Sequence, residues 1–424
     1  MHVFENKNIP FWFESNKKGM FENGSFFSAR FNHRSSNFDY GVEVVKAKNY
    51  KPFLTQLFVK KNMNDYLVKF GMGGSHISYN LSSGSLVESS NAIPIPKVSI
   101  ETSSYRIIKL FNNNYLYNVS FAHGWLSNSA YIENPFVHEK SLKIRKPFSD
   151  DNFLNFELNH MVIWGGETKE YGPQPSSFQD FFKVIFALPG GNNSIQQEQE
   201  NSLGNHLGSW KITYKNKYFE AYFEHPFEDE SGARWLLNEF DGLYGININQ
   251  GKLSRFPNIT YEYINTMDQS GSEGASDSTY GWDNYYNHYI YRSGWTNKGR
   301  VIGSPLLTIG SNKGRYSEHR YIINNRIKAH HFGFKGEIFD KLHYKIFFTY
   351  SENFGTFPDE DYFKSLDKIY AFEGGLKQKS GLIELMIKNI FSNVDLLLGY
   401  GFDDGELLNK TDSFMLKINH KFVF

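Results

Sequence analysis

The stretch SFMLKINHKFVF, residues 413–424, decides the fold. Successive side chains of a strand point to opposite faces, so this stretch has one largely apolar face and one mostly polar face. The apolar face comprises Phe414, Leu416, Ile418, His420, Phe422 and Phe424. A final strand of this pattern, closed by an aromatic residue, is typical of bacterial outer-membrane β-barrels. The alternative is the last strand of a soluble β-sandwich.

The same period of two recurs along the chain. It appears in residues 38–44, 66–73, 115–122, 218–224, 244–249, 342–350 and 394–402. The polar faces carry Gly, Asn, Ser, Lys and Glu, and the apolar faces are rich in Phe and Tyr. A sandwich would instead bury a face rich in Val, Ile and Leu. The repetition therefore predicts an all-β, antiparallel transmembrane barrel.

Length and composition agree with a barrel. The chain has 424 residues, of which 40 are Phe and 27 are Tyr, enough aromatics for a lipid-facing band with two interfacial girdles. Spans of about ten residues allow roughly 16–18 strands, and we expect about 18. The longest apolar runs, such as Val184–Leu188, are far shorter than the ~20 residues of a transmembrane helix. We expect residues 1–424 to form a single barrel domain.

Charge and targeting features indicate the compartment and partners. There are 45 basic and 45 acidic residues and no cysteine. The basic residues form no stripe along the sequence, so nothing indicates a nucleic-acid partner. Residues 1–5 lack the apolar region of a signal peptide, and we expect a mature sequence with Met1 added. The expected location is the bacterial outer membrane, with loops facing the exterior. Membrane lipids are expected partners, as is the barrel-assembly machinery through the strand that ends at Phe424.

Several segments do not fit the strand pattern. Long loops are expected at residues 82–104, 189–209, 267–299 and 353–369, and tight turns at Lys215-Asn216 and at residues 112–114. Ser177 followed by Asp180 resembles a capping box. The apolar residues after it follow helical spacing until Pro189. We predict a short amphipathic helix near residues 178–188, folded into the barrel mouth or lumen; a strand that is apolar on both faces is the alternative.

The common catalytic motifs are absent from the sequence. There is no G-x-S-x-G, no H-E-x-x-H and no P-loop. His330 and His331 are adjacent, so in a strand they face opposite ways and cannot chelate one metal together. We therefore expect no enzyme activity, no metal and no cofactor.

An ordered series of short segments carries a more specific resemblance. The segments are residues 10–19, 159–166, 205–210, 222–232, 241–246, 287–295 and 300–305. In this order they resemble the Wzi family of outer-membrane capsule-assembly proteins. The resemblance implies an 18-stranded barrel with a largely occluded lumen and a lectin-like role in holding exported capsular polysaccharide at the cell surface, rather than an enzyme or an export channel. Some family members carry a periplasmic helical bundle, but here the strand pattern begins by residues 25–30 and leaves little room for one.

The loop at residues 280–299 is the candidate glycan site. Aromatic rings stack on the CH faces of sugars, while Asp, Asn and Arg bind hydroxyl groups. The candidate residues are Trp282, Asp283, Tyr285, Tyr286, His288, Tyr289, Arg292 and Trp295. The alternative is that Tyr289, Tyr291 and Trp295 belong to the outer aromatic girdle.

A substrate-selective porin is the main alternative function. A barrel of this size can leave an aqueous channel, and selective pores are often lined by charge of one sign. The residues expected in the lumen mix Lys417 and Lys421 with Glu43, Glu220 and Glu224, with no evident asymmetry. An adhesin or a scaffold for other surface proteins is a third possibility.

Overall fold

The structure is a computed structural model. It describes residues 2–4, 9–20, 25–48, 51–74, 81–129, 131–228, 240–248, 258–269, 283–309, 322–356 and 371–422. Phe424 and Trp282, both named above, lie outside the described residues, as does most of the loop expected at residues 353–369.

Strands dominate the described residues. The strands of the first half are β1 (His2–Phe4), β2 (Phe26–Arg34), β3 (Phe38–Ala47), β4 (Phe53–Met63), β5 (Tyr66–Met72), β6 (Lys97–Thr102), β7 (Arg106–Leu110), β8 (Asn113–Trp125), β9 (Ile132–Glu133), β10 (Phe136–Ser149), β11 (Asn152–Trp164), β12 (Glu167–Thr168) and β13 (Gly172–Pro173). The described part of the chain contains three helices, α1 (Phe11–Glu14), α2 (Phe178–Phe186) and α3 (Gln196–Glu200).

The second half continues the same architecture. Its strands are β14 (Asn205–Lys215), β15 (Phe219–Phe227), β16 (Gly242–Ile248), β17 (Asn258–Asn265), β18 (Thr296–Asn297), β19 (Arg300–Val301), β20 (Thr308–Ile309), β21 (Ile322–Asn324), β22 (Ile327–Phe339), β23 (Leu342–Gly355), β24 (Ala371–Phe391), β25 (Val394–Gly405) and β26 (Thr411–His420). Among the described residues, no helix combines the length and apolar character needed to cross a membrane.

The large antiparallel sheet closes on itself. Its nineteen strands occupy eighteen positions around the wall, because β6 and β7 lie end to end along β8. The short strand β1 pairs with β26 on one side and with β2 on the other, which closes the ring. Closure removes the unpaired edges that lipid would not tolerate. The prediction of an antiparallel barrel of about 18 strands is confirmed.

The alternation predicted for the last strand is present in the structure. Phe414, Leu416 and Ile418 are exposed on the outward face, whereas Ser413 and Met415 are buried on the inward face. The other strands continue this arrangement through their pairing register, with Tyr400 opposite Phe414 as one example. The wall therefore has an apolar outer surface and an interior that accepts polar groups.

The two ends of the barrel differ in their connections. Short turns join the strands at one end; at residues 111–112 both backbone φ angles are positive, at 47° and 61°, as a tight hairpin requires. At the turn after Lys215, the Asn216 side chain accepts hydrogen bonds from the backbone amides of Tyr218 and Phe219. Turns therefore form near both predicted places, but the first lies at residues 111–112, because β8 already begins at Asn113. The C-terminal end of β26 lies at this end too, because His420 pairs with Val394. Such short turns face the periplasm in bacterial barrels, so the longer loops face the exterior.

Helix α2 forms where it was predicted. Ser177 Oγ accepts from the Asp180 amide at 3.2 Å, and the Asp180 carboxylate accepts from the Ser177 amide at 3.0 Å, which completes the capping box.

Its predicted place in the barrel mouth or lumen is wrong. Helix α2 packs on Val162 and Trp164, which face outward because their neighbours Met161 and Ile163 face the interior. Two expected loops are also shorter than predicted, since β6 begins at Lys97 and β14 begins at Asn205.

Candidate functional site

Three segments fill the interior of the barrel at its loop end. They are residues 9–20, 81–96 and 283–309, together called the plug below. The second and third pack against inward side chains from the loop ends of the strands, including Val137, Met161 and Leu207. The first packs in a separate cluster around Trp12 and Phe13. The packed interior agrees with the occluded lumen that the family resemblance implies.

Two buried carboxylates of the wall hold the second plug segment. Glu262 Oε2 accepts from the Ser83 amide at 2.7 Å and from the Ser83 hydroxyl at 2.5 Å. Glu224 Oε1 accepts from the Leu86 amide at 3.0 Å and from the Ser85 hydroxyl at 2.6 Å. The loop backbone is therefore fixed to the inner faces of β15 and β17.

The third plug segment is bound in turn to the second. Trp295 Nε1 donates to the Val87 carbonyl at 2.8 Å, and the Asn91 side-chain amide donates to the Val301 carbonyl at 3.0 Å. The Tyr286 hydroxyl donates to another carbonyl of the same loop. These contacts join residues about two hundred positions apart in sequence, and they make the two segments one packed unit.

A buried aspartate anchors the entrance to the third segment. The Asp241 carboxylate accepts from the backbone amides of Asp268 at 2.9 Å and Gln269 at 2.7 Å, and it also bonds the Tyr285 side chain. Burial raises the pKa of Asp241 to about 6 in spite of these bonds. A single carboxylate thus binds the backbone before residues 270–282 and the Tyr285 side chain after them.

The N-terminal segment enters the opposite side of the lumen. Trp12 Nε1 donates to Thr349 Oγ1 at 3.1 Å, and the Phe11 amide donates to Asp403 Oδ2 at 2.9 Å. The inward glycine Gly399 leaves room for helix α1, since a Cβ there would lie 3.1 Å from the Phe13 ring. Sequence analysis missed this insertion, although inward-facing glycines in β25 were a sign of a close approach.

The structure corrects three of the predicted site residues. Tyr285, Tyr286 and Trp295 are 1%, 2% and 0% exposed and belong to the core of the plug. A ring that is buried on both faces has no surface left for a sugar, so their stacking role is wrong. Their size and their polar atoms serve the packing and hydrogen bonding of the plug instead.

The other predicted residues of this segment reach its surface. Asp283, His288, Tyr289 and Arg292 are each partly exposed. The rings of His288 and Tyr289 stack with centroids 4.4 Å apart, and the Arg292 side chain donates to the Tyr289 carbonyl at 3.2 Å. Asp283 is held separately, since its amide donates to the Gln269 carbonyl. The structure therefore brings three of these four residues together.

Two further residues that sequence analysis missed complete this surface. Arg292 forms an ion pair with Glu170, and its guanidinium lies 5.9 Å from the centre of the Tyr171 ring. Tyr171 is 37% exposed. The name outer patch is used below for Glu170, Tyr171, His288, Tyr289 and Arg292. Residues 170 and 171 lie in a different loop, so no sequence pattern linked them to Arg292.

The outer patch has a defined electrostatic character. Burial lowers the pKa of His288 to about 3, so this imidazole is neutral near pH 7 and contributes hydrogen-bonding capacity without charge. The charge of Arg292 is balanced by Glu170 at the rim of the patch. Two aromatic side chains beside a cation and a carboxylate can contact both the CH faces and the hydroxyls of a sugar.

A small cavity lies near the outer patch. Its lining includes Leu126, Ser129, Tyr291, Ser293 and Lys298, and its volume is about 30 Å³. That volume accommodates one or two water molecules but not a sugar ring. A glycan would therefore contact the surface of the plug and not this cavity.

Histidine geometry agrees with the analysis of the sequence. His331 faces inward, where it contacts the Leu81 carbonyl and Thr349, whereas His330 lies on the outward face beside Tyr261. Over the part of the chain that the structure describes, no group of three or more His, Cys, Asp or Glu side chains is placed to hold a metal ion.

The fold and the packed interior define the class of the protein: it is an outer-membrane β-barrel with a plugged lumen. The family described as Capsule assembly protein Wzi matches residues 3–313. The chain belongs to this family, and its location is the outer membrane of Gram-negative bacteria.

One solved structure agrees on the fold. It is Wzi of Escherichia coli, an outer-membrane protein involved in group 1 capsule assembly and a carbohydrate-binding β-barrel. It is 12% identical, with a TM-score of 0.66, and the match covers 98% of this chain and 82% of that one. OccK5 (OpdH) of Pseudomonas aeruginosa is 8% identical, with a TM-score of 0.45 and coverage of 93% and 94%, and it supports no further argument. No match is found among curated proteins.

Proposed function

We propose that this protein binds exported capsular polysaccharide at the cell surface and helps to attach or assemble the capsule there. Membership of a capsule-assembly family supports the biological role, and a family member with the same fold binds carbohydrate. The observation that carries the proposal is the outer patch: Tyr171 and Tyr289, partly exposed beside the Arg292–Glu170 ion pair, at the surface of the packed plug.

The chemistry of the outer patch suits a sugar chain. The two tyrosine rings offer apolar surface for the CH faces of pyranose rings, and a tyrosine hydroxyl can both donate and accept a hydrogen bond. Arg292 is pre-oriented by its bond to the Tyr289 carbonyl, so little side-chain entropy is lost when it binds a hydroxyl or a carboxylate. Asp283 is a further candidate contact at the same end of the barrel.

The porin alternative predicts a different interior. An aqueous channel needs an open lumen, but the plug is fixed by Glu224 and Glu262 and packed around large aromatic residues. We therefore expect no steady conductance in planar bilayers at moderate voltage. Stable large-conductance steps from the purified protein would favour the porin.

The protein is proposed to hold its ligand and not to cleave it. We also propose that residues 1–424 act as a single barrel domain, since the plug contacts strands all round the wall. Recognition of the C-terminal strand by the barrel-assembly machinery stays a prediction, because Phe424 lies outside the described residues.

The test is a pair of tyrosine substitutions with a matched control. Tyr171→Ala combined with Tyr289→Ala removes both rings of the outer patch. Tyr218→Ala removes a more exposed tyrosine at the short-turn end of the barrel, where no capsule would contact it. Each variant is placed in a deletion strain, which is scored for cell-bound against shed capsule. Each purified variant is also tested for binding to isolated capsular polysaccharide.

The outer-patch double variant and the Tyr218→Ala control should give different results. Loss of the outer patch should shift capsule from the bound to the shed fraction and weaken binding, because each stacked ring contributes on the order of 1 kcal/mol. The Tyr218→Ala variant should behave as the unchanged protein. Equal binding by both variants, with both folded as heat-modifiable barrels, would rule out the outer patch as the glycan site.

A further inference from the structure

Helix α2 lies on the outside of the barrel wall, at its loop end. Val184 is fully buried against the wall, and the Phe181 ring stacks on Trp164 with centroids 5.6 Å apart. The same ring contacts His138 at 5.6 Å and Phe121 at 6.3 Å. These three wall residues belong to the outward faces of β8, β10 and β11, so one side of the helix is docked on the surface that faces lipid.

The other side of α2 is apolar and uncovered. Phe178, Phe182, Phe186 and Leu188 are 76%, 47%, 65% and 47% exposed, and the three phenylalanines follow a spacing of four, which places them in one row. The charged side chains of residues 178–189, all of which the structure describes, are Asp180 and Lys183. Asp180 is buried in the capping box, and Lys183 lies 3.8 Å from it. The exposed row is therefore free of charge.

The docked side covers polar groups that the wall would otherwise present to lipid. Lys140 Nζ donates to the Ile185 carbonyl at the C-terminal end of the helix, where a cation interacts favourably with the helix dipole. His138 is completely buried beneath Phe181. Polar and charged groups on the lipid face destabilise a barrel. Covering Lys140 and His138 with helix α2 is therefore needed only if the wall surface around the helix contacts lipid.

The exposed row continues the established lipid-facing surface. Phe121, which contacts the helix, and Val119, one step further from the loop end, are each 37% exposed on the same outward face. Helix α2 thus lies directly beyond the apolar band of β8, at the height where aromatic girdles meet the membrane surface.

We propose that the Phe178, Phe182, Phe186 and Leu188 side chains insert among the acyl chains of the outer leaflet of the outer membrane. Helix α2 then acts as an interfacial anchor that lies in the plane of the membrane. The connection between β11 and β14 that carries it also supplies Glu170 and Tyr171 to the outer patch and packs Ile195 against the plug. Inserting the helix in lipid would hold the patch at a constant height above the membrane.

The test uses the absence of cysteine from the chain. Phe182→Cys and, separately, Phe186→Cys are labelled with a nitroxide, and the folded protein is reconstituted in phospholipid vesicles. Power-saturation electron paramagnetic resonance then compares collisions with oxygen, which concentrates in the bilayer, and with a water-soluble nickel complex. Val119→Cys is the lipid-facing control and Lys169→Cys, in an exposed loop, is the aqueous control. All four positions are at least partly exposed, so the label should not disturb folding.

We expect the labels at positions 182 and 186 to behave like the label of Val119→Cys. The ratio of oxygen collisions to nickel collisions at both positions should be several times that of Lys169→Cys. A ratio equal to that of Lys169→Cys would place the helix in water and overturn the proposal. Dipolar broadening at position 182 that disappears on dilution with unlabelled protein would instead identify a second copy as the occupant, and this too would overturn it. The test does not depend on glycan binding, so its failure would leave the proposed function intact.

Discussion

Glu198 in helix α3 makes stability of the loop end depend on pH. The side chain is completely buried, and its Oε1 accepts from the Gly204 amide at 3.1 Å, just before β14 begins. Burial raises the pKa of this carboxyl from 4.5 to about 7. The Glu198 carboxyl therefore holds its proton more tightly in the folded loop than in the open loop. The stability of the folded loop is greatest below about pH 4.5 and falls as the pH rises to about 7.

The substitution Glu198→Gln should remove this dependence. A shift of about 2.5 pKa units corresponds to about 3 kcal/mol at pH values above 7. Glutamine stays neutral and its amide oxygen can still accept from Gly204. The variant should thus differ from the unchanged protein by less than about 1 kcal/mol at pH 5 and resist local opening by up to about 3 kcal/mol more at pH 8.5, which corresponds to exchange slower by roughly a few hundredfold.

Amide hydrogen exchange of residues 196–206 measures this difference. The unchanged protein and the variant are compared at each pH, so that the intrinsic pH dependence of exchange cancels. Glu200→Gln is the matched control, because Glu200 is in the same helix but exposed. The reasoning would be refuted if the unchanged protein and Glu198→Gln exchanged equally fast at pH 8.5. It would also be refuted if Glu198→Gln gained as much protection at pH 5 as at pH 8.5.

Three further predictions concern the plug. Replacing Asp241 with Ala leaves the buried backbone amide of Gln269 and the partly buried amide of Asp268 without this acceptor, which should cost about 1–3 kcal/mol and should be visible as faster proteolysis after residue 269. Gly401→Leu should displace the Phe13 ring, which a Cβ there would already approach to 3.2 Å, and the N-terminal segment should become protease-sensitive while the barrel stays heat-modifiable. Trp295→Ala should cost about 3–5 kcal/mol through the cavity it leaves, so thermal unfolding monitored by near-ultraviolet circular dichroism should shift to lower temperature; an unchanged transition would show that the indole is not packed as described.

Local patterns predicted the elements well. The alternation ending at Phe424 predicted the wall, because side-chain direction in a strand depends only on position along the chain. Ser177 and Asp180 predicted helix α2 for a similar reason, since a capping box acts over three residues. The turn at Asn216 follows from its own side chain, which bonds the next amides.

Patterns of this kind could not place the elements in space. The alternation of β11 made Trp164 outward-facing, but nothing near α2 in sequence shows that the helix would dock on that face. Likewise, Tyr286 and Trp295 look like exposed loop aromatics until the plug segment at residues 81–96 is seen to bind them. The pairing of Arg292 with Glu170 joins two loops more than a hundred residues apart.

The sequence by itself therefore determined the closed outer-membrane barrel, its approximate strand number and the existence of helix α2, because these depend on periodicity and on short-range hydrogen bonds. Only the tertiary structure decided which aromatic residues are core and which are surface, how Glu224 and Glu262 hold the plug, and on which side of the wall α2 lies. Burial is a property of the whole fold: a tyrosine is covered or uncovered by segments distant in sequence, and no local pattern carries that information.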